Sequence, residues 1–326
     1  MPRVRELELF RVVLPYGRRV ESLLVKLTEH GGMTGWGELV DAPDEPIDDA
    51  KALLDVDWEH PDSAPSGHPA IDMACWDLWT RMRGVPLAHA LGGSRTSLTA
   101  TVRLGLNPTP EHLVTQVNQQ VCGGYTHVTL DIRPGWDIEP VRAVRQAFPA
   151  LTLAVDCASS YTTDEQLVAL DSYGIEVIER PFPLEDVGSH AALQDQVAAK
   201  VAVEGPLLED YLTLRAARAL ILRPAAYPTL SDARRAHDRA AANGWDIVCA
   251  GGRGTGLARA AAVAIGSLPG CTLPCDVTQP PKQAQIVDPA VGAAGGVVAV
   301  PFTQPGLGHD IDEAKARKLA REAFRV

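Results

Sequence analysis

Apolar and polar residues alternate along Arg5–Leu14 and again along Ser22–Thr28, the period-2 rhythm of half-buried strands. The turn-rich Pro15-Tyr16-Gly17-Arg18-Arg19 between them predicts a hairpin, and Gly35-Trp36-Gly37-Glu38-Leu39 reads as a third short strand. Residues 41–68 are rich in Asp, Pro and Glu and read as a mobile surface segment around one short helix. From Pro69 to Leu91 the rhythm changes. Ile71, Ala74, Cys75, Leu78, Trp79 and Met82 recur at helical spacing, and Gly92-Gly93 is the expected stop.

After about residue 97 strands and helices alternate for most of the chain. The predicted strands are Thr99–Leu104, His127–Ile132, Leu151–Val155, Ile175–Ile178, Val201–Val203, Leu220–Leu222, Ile247–Cys249 and Cys271–Pro274. Helical stretches separate them, among them Pro110–Cys122, Ile138–Phe148, Ser231–Asn243 and Thr255–Ser267. Their spacing is that of one βα unit, and eight such units in a row imply a closed parallel barrel rather than an open sheet. The chain therefore reads as α/β, with an α+β domain over residues 1–96 and a (β/α)₈ TIM-like barrel over 97–300. Residues 301–326 return to strand, loop and helix and are expected to complete the first domain.

Composition narrows the function classes. A net charge of −11 and a pI near 5.3 give no basic stripe for phosphate neutralisation, so a nucleic-acid partner is not expected. No apolar run reaches the roughly 18 residues a membrane-spanning helix needs, and the start Met1-Pro2-Arg3-Val4-Arg5-Glu6 lacks a signal-peptide core. Neither a membrane nor export is indicated, and the cytoplasm is the default. The six cysteines form no regular framework and are expected to be reduced thiols.

Barrel enzymes build their sites at the C-terminal ends of the strands. Three neighbouring strands end in acids: Val155-Asp156, Ile178-Glu179 and Val203-Glu204. Carboxylates that converge without a counter-charge repel and raise one another's pKa. A hard divalent cation relieves this, and Mg²⁺ suits a few carboxylates with waters and substrate oxygens. The alternative is that each acid caps the next helix or pairs with a local arginine such as Arg180. The second strand places His127, Thr129 and Asp131 on one face. His127 lies one layer deeper, as a core histidine would.

Several motifs together resemble the enolase superfamily over nearly the whole chain. They are Ala74-Cys75-Trp76-Asp77-Leu78-Trp79, Gly84-Val85-Pro86-Leu87 and Leu91-Gly92-Gly93, then Pro134-Gly135-Trp136-Asp137, Val155-Asp156, Ile178-Glu179-Arg180-Pro181 and Thr255-Gly256-Leu257. With Ser267-Leu268-Pro269-Gly270 and Leu273-Pro274 the likeness is greatest to the o-succinylbenzoate synthase and N-acylamino acid racemase branch, in the muconate-lactonizing subgroup. The resemblance implies that residues 1–96 with 301–326 form a capping domain. It further implies that Asp156, Glu179 and Glu204 hold Mg²⁺, which stabilises an enolate formed from a small carboxylate. Tyr16, Arg18 and Arg19 fall on the family's substrate-selecting loop, and homo-oligomers are common in the family.

The departures from the pattern concern the bases. Where the branch carries Lys-x-Lys on strand two, this chain has Thr129 and Asp131, and the strand-six lysine is Arg223. An arginine does not deprotonate, so Arg223 is read as holding negative charge and Asp131 as the acid/base group. Glu204-Gly205-Pro206 replaces the usual Asp-Glu-Ser, Arg253 replaces an acid after strand seven, and Ala250-Gly251 stand where a mandelate-racemase-type histidine would. Arg18, Arg19, Arg223 and Arg253, with Tyr16 and Thr129, would receive an anionic substrate. An Asp131–Arg223 ion pair is the competing reading of those two residues. Cys157 reads as a buried inert thiol, with a nucleophile as the alternative. The function expected is a divergent lyase or isomerase. The rivals are a non-catalytic ligand-binding barrel and a metal-assisted hydrolase or decarboxylase.

Overall fold

The computed structural model describes residues 1–16, 19–42, 48–205, 207–277 and 281–326. Expectations placed on Arg18 and Pro206, and on the side chain of Arg19, lie outside the described residues.

The alternating runs form β1 (Val4–Pro15), β2 (Arg19–Glu29) and β3 (Thr34–Val40), paired antiparallel in chain order. Helix α1 (Pro69–Arg83) packs on β3. Gly35 and Gly37 permit this close approach, because a Cβ at either position would run into the carbonyl oxygens of Ala74 or Ala70. The helix stops at Gly84, whose φ of 67° is the left-handed cap, and not at Gly92-Gly93. Pro86 cannot continue an α-helix past that cap, so Leu87–Ala90 forms a separate short turn. The segment before α1 is also better anchored than its composition suggests, since Leu53 and Trp58 are buried.

Asp77, from the Trp-Asp motif, ties these pieces together. Its buried carboxylate accepts from Trp36 N at 2.9 Å, Leu307 N at 2.8 Å and Arg81 Nε at 2.9 Å.

Seven strands then form a parallel sheet in chain order: β4 (Val102–Leu104), β5 (His127–Asp131), β6 (Thr152–Asp156), β7 (Ile175–Glu179), β8 (Lys200–Glu204), β9 (Ala219–Leu222) and β10 (Asp246–Cys249). Connecting helices include α2 (Pro110–Cys122), α3 (Ile138–Ala147), α4 (Glu165–Asp171), α5 (Val187–Gln196), α6 (Leu208–Leu214), α7 (Leu230–Ala242) and α8 (Leu257–Gly266). Residues 273–276 close the cylinder. Leu273 N donates to Ile247 O at 3.2 Å and Asp276 N to Cys249 O at 2.9 Å on one side. On the other, Cys275 N donates to Thr99 O at 2.8 Å and Thr101 N to Cys275 O at 3.1 Å.

The eighth segment thus lies slightly later than Cys271–Pro274 and makes bridges rather than a full ladder, Pro274 having no N–H to give. The first predicted strand divides. Ser97–Thr99 pairs antiparallel with Val297–Ala299, and Val102–Leu104 enters the barrel.

Two apolar layers follow from the strand pleat. Val177, Ala202, Ile221, Val248, Ala250 and Leu273 cluster inside the cylinder. Their sequence neighbours Ile178, Val201, Val203, Leu220, Leu222, Ile247 and Cys249 belong to the larger core under the helices. The last strand, β11 (Ala320–Arg325), pairs antiparallel with β1 from Glu8↔Arg325 to Val12↔Ala320, giving the sheet order β11-β1-β2-β3.

Candidate active site at the barrel mouth

The alternation that sends Ala154, Val177 and Ala202 into the interior carries the residues two further on to the rim. Those residues are Asp156, Glu179 and Glu204. Register confirms the placement: Asp131 lies beside Asp156, and Asp156 beside Glu179.

The counter-charge is a guanidinium. Arg103, on β4, donates from Nη2 to Glu179 Oε2 at 2.7 Å and from Nε to Asp276 Oδ2 at 3.1 Å. Its Nη1 bonds Asp156 and lies 3.4 Å from Asp131 Oδ1. Arg180 supplies a second cation, through Nη2 and through Nε at 3.2 Å, to Asp156. Glu204 is held by Arg223 Nε at 2.8 Å, with Arg180 Nη1 3.8 Å away. Arg180 adopts a left-handed backbone (φ 49°), an uncommon state for a side-chain-bearing residue that the surrounding bonds must hold.

Burial opposes a charged Arg103, yet Glu179, Asp276 and Asp156 push its pKa well above the ordinary arginine value. Burial would raise Asp156, but Arg103 and Arg180 hold it below the usual carboxylate range. For Glu179 burial prevails over the pull of Arg103, and its pKa is raised.

This arrangement does not fit a magnesium ion. Mg²⁺ needs carboxylate oxygens at about 2.0–2.1 Å in near-octahedral array. Here Asp156, Glu179 and Glu204 are each committed to arginines. Among the described residues no group of three or more His, Cys, Asp or Glu side chains is disposed to hold a metal. The acids reach the rim on adjacent strands, as the sequence indicates, but arginine pairing is the alternative the structure realises.

The remaining predicted residues divide. Asp131 and Arg223 both line the mouth cavity, but they do not pair with each other: Arg223 bonds Glu204, and Asp131 faces Arg103. Burial raises the Asp131 pKa despite Arg103. Tyr16 lines the cavity and donates its hydroxyl to Gly254 O at 2.5 Å. Arg253 lines it as an exposed side chain. Thr129 does not. It is buried one layer down, 3.0 Å from Thr101 Oγ1, because the β5 side chain that reaches the rim is two residues later. His127, expected as a core histidine, instead begins β5 at the far end of the barrel and is only half-buried, with Nδ1 2.9 Å from Thr126 Oγ1. Cys157 is fully buried and its thiol is pushed up by burial, which suits an inert thiol.

Arg103, Asp276 and Arg133 are site residues the sequence reading missed. Arg103 sits two residues after Thr101 at the end of the first barrel strand, so strand-end inspection extended to that strand would have found it. Asp276 lies two residues beyond Pro274, the last residue of the predicted eighth strand.

The cavity measures about 1140 Å³ and is lined by Tyr16, Leu39, Val40 and Asp41 from the N-terminal sheet as well as by barrel residues. Arg133 donates to the backbone oxygens of Ile132 and Asp156. Among the described residues neither Arg133 nor Arg253 has a carboxylate hydrogen-bonded to it. The roof is fastened by Glu38, whose buried carboxylate accepts from Ser22 Oγ at 2.8 Å, Thr255 N at 2.6 Å and Ala258 N at 3.0 Å. The last two donors open α8, where a helix end favours an anion.

A charged cavity at the C-terminal mouth of a parallel barrel, roofed by an antiparallel sheet, defines the capped-barrel class of proteins. Within it, this chain belongs to the enolase superfamily: the description "Enolase C-terminal domain-like" matches residues 112–315. It is 30% identical to an o-succinylbenzoate synthase of Geobacillus stearothermophilus over 94% of this chain and 90% of that one. It is 36% identical to an N-succinylamino acid racemase of Amycolatopsis over 73% and 67% of the two chains. An enolase-superfamily member from Listeria innocua superposes with a TM-score of 0.89 at 26% identity, covering 100% and 99% of the two chains. The fold is therefore the superfamily's barrel with its N-terminal cap, and the named relatives are enzymes. A Roseovarius nubinhibens member, 21% identical with a TM-score of 0.81 over 99% and 100% of the chains, is complexed with magnesium.

Proposed function

We propose that this chain is a lyase or isomerase acting on a small anionic carboxylate through an enolate-like state. Asp131 is the proton-transferring group. Its carboxylate would take the α-proton, the C–H electron pair would pass into the enolate, and the proton would return to carbon or to a leaving group. The observation that carries this reading is Asp131 itself, a partly buried carboxyl at the cavity wall with a pKa raised toward that of a useful base.

Support also comes from the cavity's arginines. Arg133 and Arg253 line it with no carboxylate hydrogen-bonded to them among the described residues, so they would meet a substrate carboxylate, and Arg223 on the same wall would offset the negative charge of the enolate. The N-succinylamino acid racemase relative makes N-acylated amino acids reasonable first substrates. Magnesium has no part in this scheme, because the acids that would hold it are arginine-bound. Six unpaired thiols are consistent with a reducing, cytoplasmic setting.

One observation favours a ligand-binding barrel without catalysis: Asp131 and Arg223 are each engaged in an ion pair. Solvent-deuterium exchange separates the readings. The intact chain is incubated in D₂O with a panel of carboxylates that includes N-succinylamino acids, and α-deuterium is followed by NMR. Exchange that disappears in Asp131→Asn is the expected result. Ligands that bind with no exchange anywhere in the panel would transfer the case to the binding barrel.

A further inference from the structure

We propose that the Arg103 guanidinium stands in for a divalent cation, as a built-in positive centre that holds the rim acids together and keeps metal out.

The geometry is that of a cation site filled from within. From β4, Arg103 reaches Asp156 and Glu179 on two adjacent strands, Asp276 on the closing segment, and Asp131. Those bonds use four of its five N–H groups. Its side chain is only 15% exposed, and those of Asp156 and Glu179 are 4% and 3% exposed. So many acids at a largely buried rim need positive charge, and Arg103, with Arg180 beside it on Asp156, supplies it.

Arginine and Mg²⁺ exclude one another here. An incoming ion would have to draw the same oxygens to about 2.1 Å and expel the guanidinium against like-charge repulsion. Arg180 would also have to release Asp156. A lysine could yield by losing its proton, whereas an arginine keeps its charge.

The substitution changes what the site can do. A guanidinium donates hydrogen bonds in a fixed plane but does not coordinate oxygen. A substrate carboxylate would therefore be held by hydrogen-bonding arginines, Arg133 and Arg253 among those at hand. Removing Arg103 should uncover a cation site made of Asp156, Glu179 and their acidic neighbours.

The test requires no substrate, so it is independent of the enolate reading. Mn²⁺ alone is titrated into the intact chain and followed by EPR. The wild type should leave the free-ion spectrum unchanged into the millimolar range. Arg103→Ala should take up about one ion per chain, and adding Glu179→Gln should abolish that uptake. A wild type that binds an ion lost in Glu179→Gln overturns the proposal, as does a folded Arg103→Ala that binds none. Where Arg103→Ala does not fold, the wild-type titration decides: no Glu179-dependent ion supports the proposal, and one overturns it.

Discussion

Asp131 and Arg253 face the same cavity but should fail in different ways when altered. On the proposed reading Asp131→Asn removes the proton acceptor while keeping the shape, so α-exchange should fall about 10²- to 10⁴-fold with little change in ligand affinity. Arg253 is exposed, and on the proposed reading it would contribute charge rather than chemistry. Arg253→Ala should raise KM about fivefold, roughly 1 kcal/mol, and leave kcat unchanged; the effect should fade in high salt. An equal drop in kcat would mean that Arg253 touches the transition state. At this scale the sequence exposed Asp131, Asp156, Glu179, Glu204 and Arg223 because each ends a recognisable apolar strand. It passed over Arg103, the penultimate residue of the first predicted strand, because one arginine near a strand end carries no sign that it turns onto the acids of its neighbours. Which acid meets which arginine depends on barrel curvature, and no linear pattern encodes that.

Between elements, helix α1 meets α7 through Asp72. This buried aspartate accepts from Leu230 N, at the start of α7, at 2.7 Å, while its other oxygen has no partner among the described residues. Burial, against the pull of Leu230 N, lifts its pKa to about 7. A carboxyl with a raised folded-state pKa binds more protons folded than unfolded. Its stabilising contribution is present below the unfolded value and lost as pH rises toward about 7. Asp72→Asn should remove this loss. Melting curves from pH 4 to 7 should show the variant gaining on wild type toward neutrality, by on the order of a few kcal/mol. Parallel curves would show that Asp72 does not titrate in this window.

The elements themselves were readable from periodicity, which is local. Their ends were less so. Gly84 halts α1 through a left-handed cap, although Trp79 and Met82 prolong the apolar rhythm almost to it and Leu87 resumes it beyond.

Across the molecule, roof and barrel are joined at Glu38, which the sequence shows only as a charge within the third short strand. Glu38→Gln keeps the outline but loses the charge that the Thr255 and Ala258 amides and Ser22 hydrogen-bond. The expected cost is about 1–3 kcal/mol in urea unfolding, together with weaker ligand binding as the mouth loosens. An unchanged midpoint would mean that the roof is fastened elsewhere. Barrel closure is legible in the count of βα units, even though the eighth segment makes only bridges. The pairing of β11 with β1 shows in the sequence only as a tendency to pack back, because hydrogen-bonding across so long a stretch of chain leaves no mark in either segment.

That pairing has a consequence for biogenesis. During translation β1 emerges early, with one flank already matched to β2 and the other awaiting a partner that appears only after the whole cylinder has been made. For that interval its bare flank could recruit a neighbouring nascent chain, and a chaperone that shields strand flanks would find its substrate there.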